Sequence, residues 1–195
     1  MSQTAEQRYT DLLVSLETRW TGRLCQIPFG WHVRFLKLGF TLDVGCGIGR
    51  NLLHLGGDGI GIDVSLSSLA VCRQRGLTVF TPEKFEASVY NRPGRFDSLL
   101  LAHVCEHMTE KEAIELVTRY TRLVKPPGRL VLITPQEAGF AQYPEDHVEF
   151  MDLVSLRRIA AAVGFASKAS YSFPLPRPLG RLLRSNEFVM IATRP

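Results

Sequence analysis

The apolar positions of this chain change period along its length. Over residues 5–20, Tyr9, Leu12, Leu13, Leu16 and Trp20 recur at three- and four-residue steps, which predicts an amphipathic helix. A looser segment, RLCQIPFGWHVRFLKLG, leads from it to a stretch in which strands and helices alternate. TLDVG reads as a first strand, GRNLLHLGG as a short helix closed by glycines, GIGIDVS as a second strand, and SLSSLAVCRQRG as a helix ended by Gly76. LTVFT is a third strand, and FDSLLLAHV, after the turn NRPGR, a fourth. TEKEAIELVTRYTRLVKPPG is a helix with Thr109 as N-cap and Pro126, Pro127 and Gly128 as its stop; RLVLITP is a fifth strand. Beyond it, SLRRIAAAVGF predicts another helix, ASKASYSFP and NEFVMIATRP two closing strands, and PLPRPLGR a loop between them.

Strands that are apolar on both faces and separated by helices require a parallel sheet covered on both sides. The expected fold is therefore a doubly wound, Rossmann-like α/β domain with a mostly parallel seven-stranded sheet and helices on both faces. At 195 residues the chain suits one domain, residues 1–195.

Composition narrows the picture. Hydrophobic residues make up 45% and charged residues 22%, as in ordinary globular proteins. Cys25, Cys46, Cys72 and Cys105 form no CxxC pair and no regular spacing with histidine, so neither a zinc knuckle nor a disulfide framework is indicated. No signal-peptide pattern opens the chain and no run of about 18 apolar residues occurs. A cytoplasmic protein without a membrane span is expected. The formal net charge is +4, with Arg157, Arg158, Arg177, Arg181 and Arg184 near the end of the chain. These arginines read as a solvated face, with attraction of anionic substrates, nucleic acid or a membrane surface as the other reading.

The candidate chemistry begins where the first strand ends. Gly45, Gly47 and Gly49 allow a sharp bend and let a ligand lie against the main chain, in the crevice beyond the strand ends where open α/β sheets bind nucleotides. The dinucleotide fingerprint G-x-G-x-x-G would place its third glycine at Arg50, where it is missing. The observed G-x-G-x-G, preceded by Asp43, fits a cofactor without a phosphate, whose cationic amino-acid end a carboxylate can help hold.

At these residues the sequence resembles the class I S-adenosylmethionine-dependent methyltransferases. LDVGCGIGR resembles their first motif, GIDVS their second, FDSLLLAHVCEHM their fourth, and LVKPPGRLVLITP the helix-turn-strand that follows, in unbroken order over residues 41–135. The resemblance implies S-adenosyl-L-methionine as cofactor, held by Asp43, Gly45, Gly47, Gly49, Asp63 and Val64. Asp63 would accept from both ribose hydroxyls in a charge-assisted contact, while Ser65 is the better placed N-cap for the next helix. His103 lies where the family contacts the methionine end. Residues 1–40 then form an N-terminal helix and cap segment, 41–135 the cofactor-binding core, and 136–195 substrate-side loops and closing strands. Where many relatives carry an acid facing adenine, this chain has VFTPEKFEAS. Thr81, Glu83 or Phe85 is left to supply that contact, with Phe85 offering a face for stacking.

A hydroxyl acceptor benefits from a general base, and histidine titrates nearest neutral pH. Glu106 and His107, one turn beyond His103, form an EH pair that either orders the turn or serves the acceptor. His147 falls in QYPEDHVEF, a polar segment long enough to be a binding loop, and is the expected base, with Asp146, Glu145 or Glu106 orienting its ring. The catalytic candidates are thus His147, Glu106 and His107. Glu106, His107, Asp146 and His147 also suggest divalent-ion ligands, but magnesium prefers oxygen and no two or three acids gather at one strand end, so no metal is expected.

The turn after strand four lacks the N-P-P-[YF] of adenine-N6 enzymes, Cys105 lacks the neighbouring proline of cytosine-C5 enzymes, and no double-glutamate loop occurs. A small hydroxylated molecule is the expected acceptor, rather than nucleic acid. Trp20, Phe29, Trp31, Phe140, Tyr143 and Phe173 beside hydrogen-bonding groups suit a sugar or glycosylated metabolite, or a polyketide-like compound, and DHVEF also resembles bacterial sugar O-methyltransferases. An RNA methyltransferase using the arginines and a silent cofactor-binding partner subunit are the other readings. A homodimer is compatible with the sequence.

Overall fold

The computed structural model describes residues 20–194 and, before them, Gln7, Thr10, Asp11, Val14 and Ser15; over 20–26 it describes the main chain alone. The five described residues before Trp20 are helical, whereas Tyr9, Leu12, Leu13 and Leu16 lie outside the described residues. Helices α1 (Trp20–Phe35), α2 (Arg50–His54), α3 (Leu66–Gln74) and α4 (Pro82–Glu86) alternate with strands β1 (Thr41–Val44), β2 (Gly59–Ile62) and β3 (Val79–Phe80). Next come β4 (Phe96–Ala102), a 3-10 turn (Cys105–His107), α5 (Glu110–Thr121), β5 (Val124–Pro135), α6 (Glu137–Phe140) and α7 (Leu153–Ala162). The last elements are β6 (Ala166–Phe173), α8 (Arg177–Gly180) and β7 (Glu187–Thr193). The seven strands form one sheet in the order β3-β2-β1-β4-β5-β7-β6. β1 with β2, β2 with β3, and β4 with β5 pair parallel, while β7 runs antiparallel to β5 and β6. This is the mostly parallel seven-stranded sheet expected. The chain divides into two compact units, Met1–Asn91 and Arg92–Pro195.

In the first unit β1 and β2 are buried at every position, the outcome of strands that are apolar on both faces. Gly61 is required by close packing, because a Cβ there would stand 2.6 Å from Cys46 Sγ and 2.9 Å from Leu52 Cδ1. One expectation fails here. The segment read as loose is helix α1, which continues through Pro28. Tertiary packing overrides the breakers: at Gly30 a Cβ would lie 2.8 Å from His54 Nδ1, so the missing side chain lets α1 approach α2, and Arg34 Nε donates to the His54 carbonyl at 2.9 Å.

In the second unit Thr109 caps α5 as expected, in a full capping box with Glu112. The helix ends at Thr121, however, and not at the prolines, because Leu123 and Val124 are drawn into the core and β5 starts at Val124. The strand register jumps from Phe96 opposite Val124 to Ser98 opposite Arg129, so residues 125–128 bulge out of the ladder. PLPRPLGR contains the short α8. The segment before it is clamped by the buried Asn186, whose carboxamide accepts from Leu175 N at 2.9 Å and donates to Leu175 O at 3.0 Å.

Candidate active site

The glycine loop in the first unit is held from below. Gly45 N and Cys46 N donate to Ile62 O at 2.8 and 3.0 Å. Asp63 Oδ2 accepts from Gly47 N at 2.7 Å and Oδ1 accepts from Ser65 N at 2.8 Å, so one carboxylate joins the loop to the start of α3. Ser65 is the α3 N-cap, as the sequence indicated. Gly45, Gly47 and Gly49 all have positive φ (76°, 52° and 80°), a conformation that favours glycine. Two of them serve different ends. Nothing lies within 4 Å of a Cβ built at Gly47, which leaves that stretch of main chain bare. A Cβ at Gly49 would run into Leu77 and Cys72, so this glycine lets the loop settle onto α3 and its neighbours.

Asp43 is fully buried at the base of the loop, and neither carboxylate oxygen has a hydrogen-bond partner. The loop amides nearest in sequence are taken by Ile62 and Asp63, so Asp43 does not serve them. Burial, with the charge of Asp63 adding to it, pushes its pKa up to about 7. Val64 stands out from the end of β2 with 81% exposure. Phe85 does not fit its expected role. It is 1% exposed and meets Phe80 edge-on at 6.2 Å, so its faces belong to the core and none is presented for stacking. Thr81 caps α4 by accepting from Lys84 N.

The histidines and Glu106 gather in the second unit. His103, at positive φ (58°) beyond β4, places Nε2 at 2.7 Å from Glu187 Oε1 and Nδ1 at 3.3 Å from Glu106 Oε1. The side chain is 47% exposed; what desolvation it feels acts to lower its pKa, and the contacts with Glu106 and Glu187 outweigh that and raise it to about 10. Glu106 is 1% exposed and neither of its oxygens has a hydrogen-bond partner. Its main-chain carbonyl, in contrast, accepts from Val148 N at 2.7 Å and Glu149 N at 3.3 Å, fastening the loop that carries His147.

His107 and His147 face each other with ring centroids 5.1 Å apart. His147 stacks on Phe140 at 5.0 Å. Its Nδ1 lies 2.7 Å from Phe140 O, and His107 Nδ1 lies 2.9 Å from Asp146 O. A carbonyl oxygen only accepts, so each Nδ1 carries a proton, and the tautomer this selects has its lone pair on Nε2. The orienting groups are therefore main-chain carbonyls, in place of the carboxylates of Asp146, Glu145 or Glu106. Cys105 is buried, and burial together with the charge of Glu106 pushes its thiol up to about 12, which keeps it protonated. Among the C-terminal arginines, Arg158 holds Glu110 through Nε and Nη2 (2.9 and 2.6 Å), and Arg177 reaches Glu137 at 3.4 Å.

The family model described as a methyltransferase domain matches residues 34–168. The chain belongs to the methyltransferase-domain family. S-adenosylmethionine is the cofactor of this family. Among solved structures, the methyltransferase is similar to magnesium protoporphyrin IX methyltransferase from Synechocystis PCC 6803 with bound S-adenosylhomocysteine. That match has a TM-score of 0.69 and 15% identity, over 96% of this chain and 95% of that one. A SAM-dependent methyltransferase from Archaeoglobus fulgidus matches with TM-score 0.63 and 16% identity, over 85% and 93% of the two chains. Geranyl diphosphate C-methyltransferase from Streptomyces coelicolor A3(2), in complex with Mg2+, geranyl diphosphate and S-adenosylhomocysteine, matches with TM-score 0.63 and 13% identity, over 84% and 78%. No curated protein matches the methyltransferase. No helix among its described residues is long and apolar enough to cross a membrane.

One site residue of the methyltransferase escaped the sequence reading. Glu187, the partner of His103, lies 84 residues further along the chain. It arrives there because β7 pairs antiparallel with β5, placing Glu187 opposite Pro135. Only the sheet order connects the two, and no local motif marks it.

Proposed function

We infer that the methyltransferase carries a methyl group from S-adenosylmethionine to a hydroxyl of a small molecule, a sugar or glycosylated metabolite being the first class to test. Three observations support the fit of the cofactor to the first unit. Gly47 leaves the main chain bare, the buried carboxyl of Asp43 lacks a partner that a cationic amino group supplies, and each Asp63 oxygen, with one hydrogen bond made, keeps capacity to accept a ribose hydroxyl. Gly45 and Gly49 shape the bend, and the exposed Val64 offers apolar cover. When bound, the cofactor supplies an electrophilic methyl group on a good leaving group, so the protein's part is alignment and proton handling.

The reading of a hydroxyl acceptor rests on one observation, the locked tautomer of His147. With Nδ1 donating to Phe140 O, Nε2 is a free lone pair suited to take a hydroxyl proton. His107 repeats the arrangement beside it, and the carboxyl group of Glu106 lies within 4.8 Å of both rings. His103, with both ring nitrogens turned to the carboxylates of Glu106 and Glu187, presents neither to an acceptor.

The test is incubation of the purified protein with methyl-labelled cofactor and a metabolite extract, followed by identification of the labelled product. Label in an O-methyl group of a small molecule is the expected result. Label in RNA, or on carbon or nitrogen of the product, overturns the acceptor reading, and absence of turnover despite cofactor uptake favours a silent partner subunit.

A further inference from the structure

We propose that Glu106, His107 and His147 form a binding site for a divalent transition-metal ion, with zinc as its first candidate. Each residue offers one ligand atom, and these atoms lie within 4.8 Å of one another. Ligand atoms in a tetrahedral zinc site with bonds of ~2.0–2.1 Å stand ~3.4 Å apart. Side-chain rotations of about an ångström therefore close the set.

The surroundings of all three residues point to a cation. Both imidazoles have Nδ1 committed as donor to a main-chain carbonyl, 2.9 Å to Asp146 O for His107 and 2.7 Å to Phe140 O for His147. Metal-ligating histidines are held in this way by their outer shell, with the other nitrogen presenting its lone pair. Glu106 adds the anion. Its carboxyl group is 1% exposed, neither oxygen is hydrogen-bonded and its ion-pair contact is His103 Nδ1, 3.3 Å from Oε1, so acceptor capacity is left over for a cation. His103 is shared between two acids, and its closer contact is to Glu187, at 2.7 Å against 3.3 Å to Glu106.

The chain holds these donors together by main-chain bonds. Val148 N and Glu149 N donate to Glu106 O, and His147 N donates to Tyr143 O, so His147 is fixed next to the turn that carries Glu106 and His107. Two imidazole nitrogens and one carboxylate suit zinc and its first-row neighbours, whereas magnesium and calcium demand oxygen. That donor set is why the oxygen-based argument against magnesium does not extend to zinc. Three protein ligands leave a position open for water or a substrate oxygen. The inference rests on this cluster and not on the methyl-transfer reading. If both hold, an acceptor hydroxyl in the open position is acidified by the ion, and His147 serves as ligand in place of base.

The full chain, stripped of metal with a chelator and freed of it by dialysis, is titrated with Zn2+ by calorimetry and with Co2+ by visible absorbance. The expected result is one equivalent of zinc, intense cobalt bands of a four-coordinate site, and at least ~100-fold weaker binding in His147→Ala, His107→Ala and Glu106→Gln. Cofactor affinity, measured on the same samples, is expected to be unchanged in these variants, which separates failure of the metal site from failure of the methyltransferase itself. Should Glu106→Gln fail to fold, the two histidine variants carry the test. No stoichiometric zinc uptake, or equal affinity in the wild type and both histidine variants, overturns the site.

Discussion

The main-chain N–H of Gly47 donates to Asp63 Oδ2 at 2.7 Å across a separation of 16 residues, so the acid at the end of β2 sets the bend of the loop after β1. Asp63→Ala removes this tether along with a ligand group. We expect cofactor affinity to fall by about 1.5–3 kcal/mol, the range for a lost charge-assisted hydrogen bond, measured by calorimetry. Asp63→Asn keeps one acceptor oxygen and should fall between the two. Unchanged affinity in the alanine variant would remove Asp63 from the cofactor site.

The glycines of the loop should separate under substitution. Gly47→Ala meets no neighbour, so its stability cost is the left-handed strain of about 1–2 kcal/mol, and its main effect should be on cofactor binding. Gly49→Ala adds a collision with Leu77 and Cys72 to the same kind of strain and should lose more stability. Denaturant unfolding and cofactor titration on both variants test the difference. Equal stability losses would refute it.

Asp43 makes stability depend on pH. Its pKa is about 7 in the folded protein against 3.8 for the free side chain, so between these values the folded state holds a proton that the unfolded chain has lost. Stability therefore falls as pH rises from about 4 to about 7 and levels off above. The full span is on the order of 4 kcal/mol for a shift of about three units. Asp43→Asn should flatten this slope in urea unfolding series at pH 5, 6, 7 and 8; an unchanged slope would show that the buried carboxyl is not its source.

His147→Ala should reduce turnover by roughly 10²–10⁴-fold, the usual worth of a general base, with cofactor affinity near that of the wild type. Parallel loss of both would move His147 into the cofactor shell. Asp146→Ala should have a small effect by comparison, because Asp146 orients His107 through its main-chain carbonyl, which the substitution keeps.

Much of the first unit could be read from sequence because its information is local. The glycine spacing, the acid ending β2 and the Ser65 cap lie within a few residues of the elements they serve. The failures have nonlocal causes. Helix α1 survives Pro28 because Gly30 approaches His54, a contact between segments separated by a strand and a loop. Phe85 looked available for stacking, but its burial against Phe80 decides otherwise. In the second unit His103, Glu106, His107 and His147 were identifiable by residue type, whereas Glu187 needed the strand order. The carbonyls that fix the two imidazoles needed the loop conformation, since a main-chain oxygen has no letter of its own in a sequence.

That last point bears on how readily the protein can change. The peptide oxygen of residue 106 anchors the segment at 148–149, and any amino acid provides that oxygen. Replacing the Glu106 side chain therefore changes the chemistry beside His107 and His147 while this main-chain mooring of the loop is kept, so in this segment reactivity and anchorage are carried by different atoms of one residue.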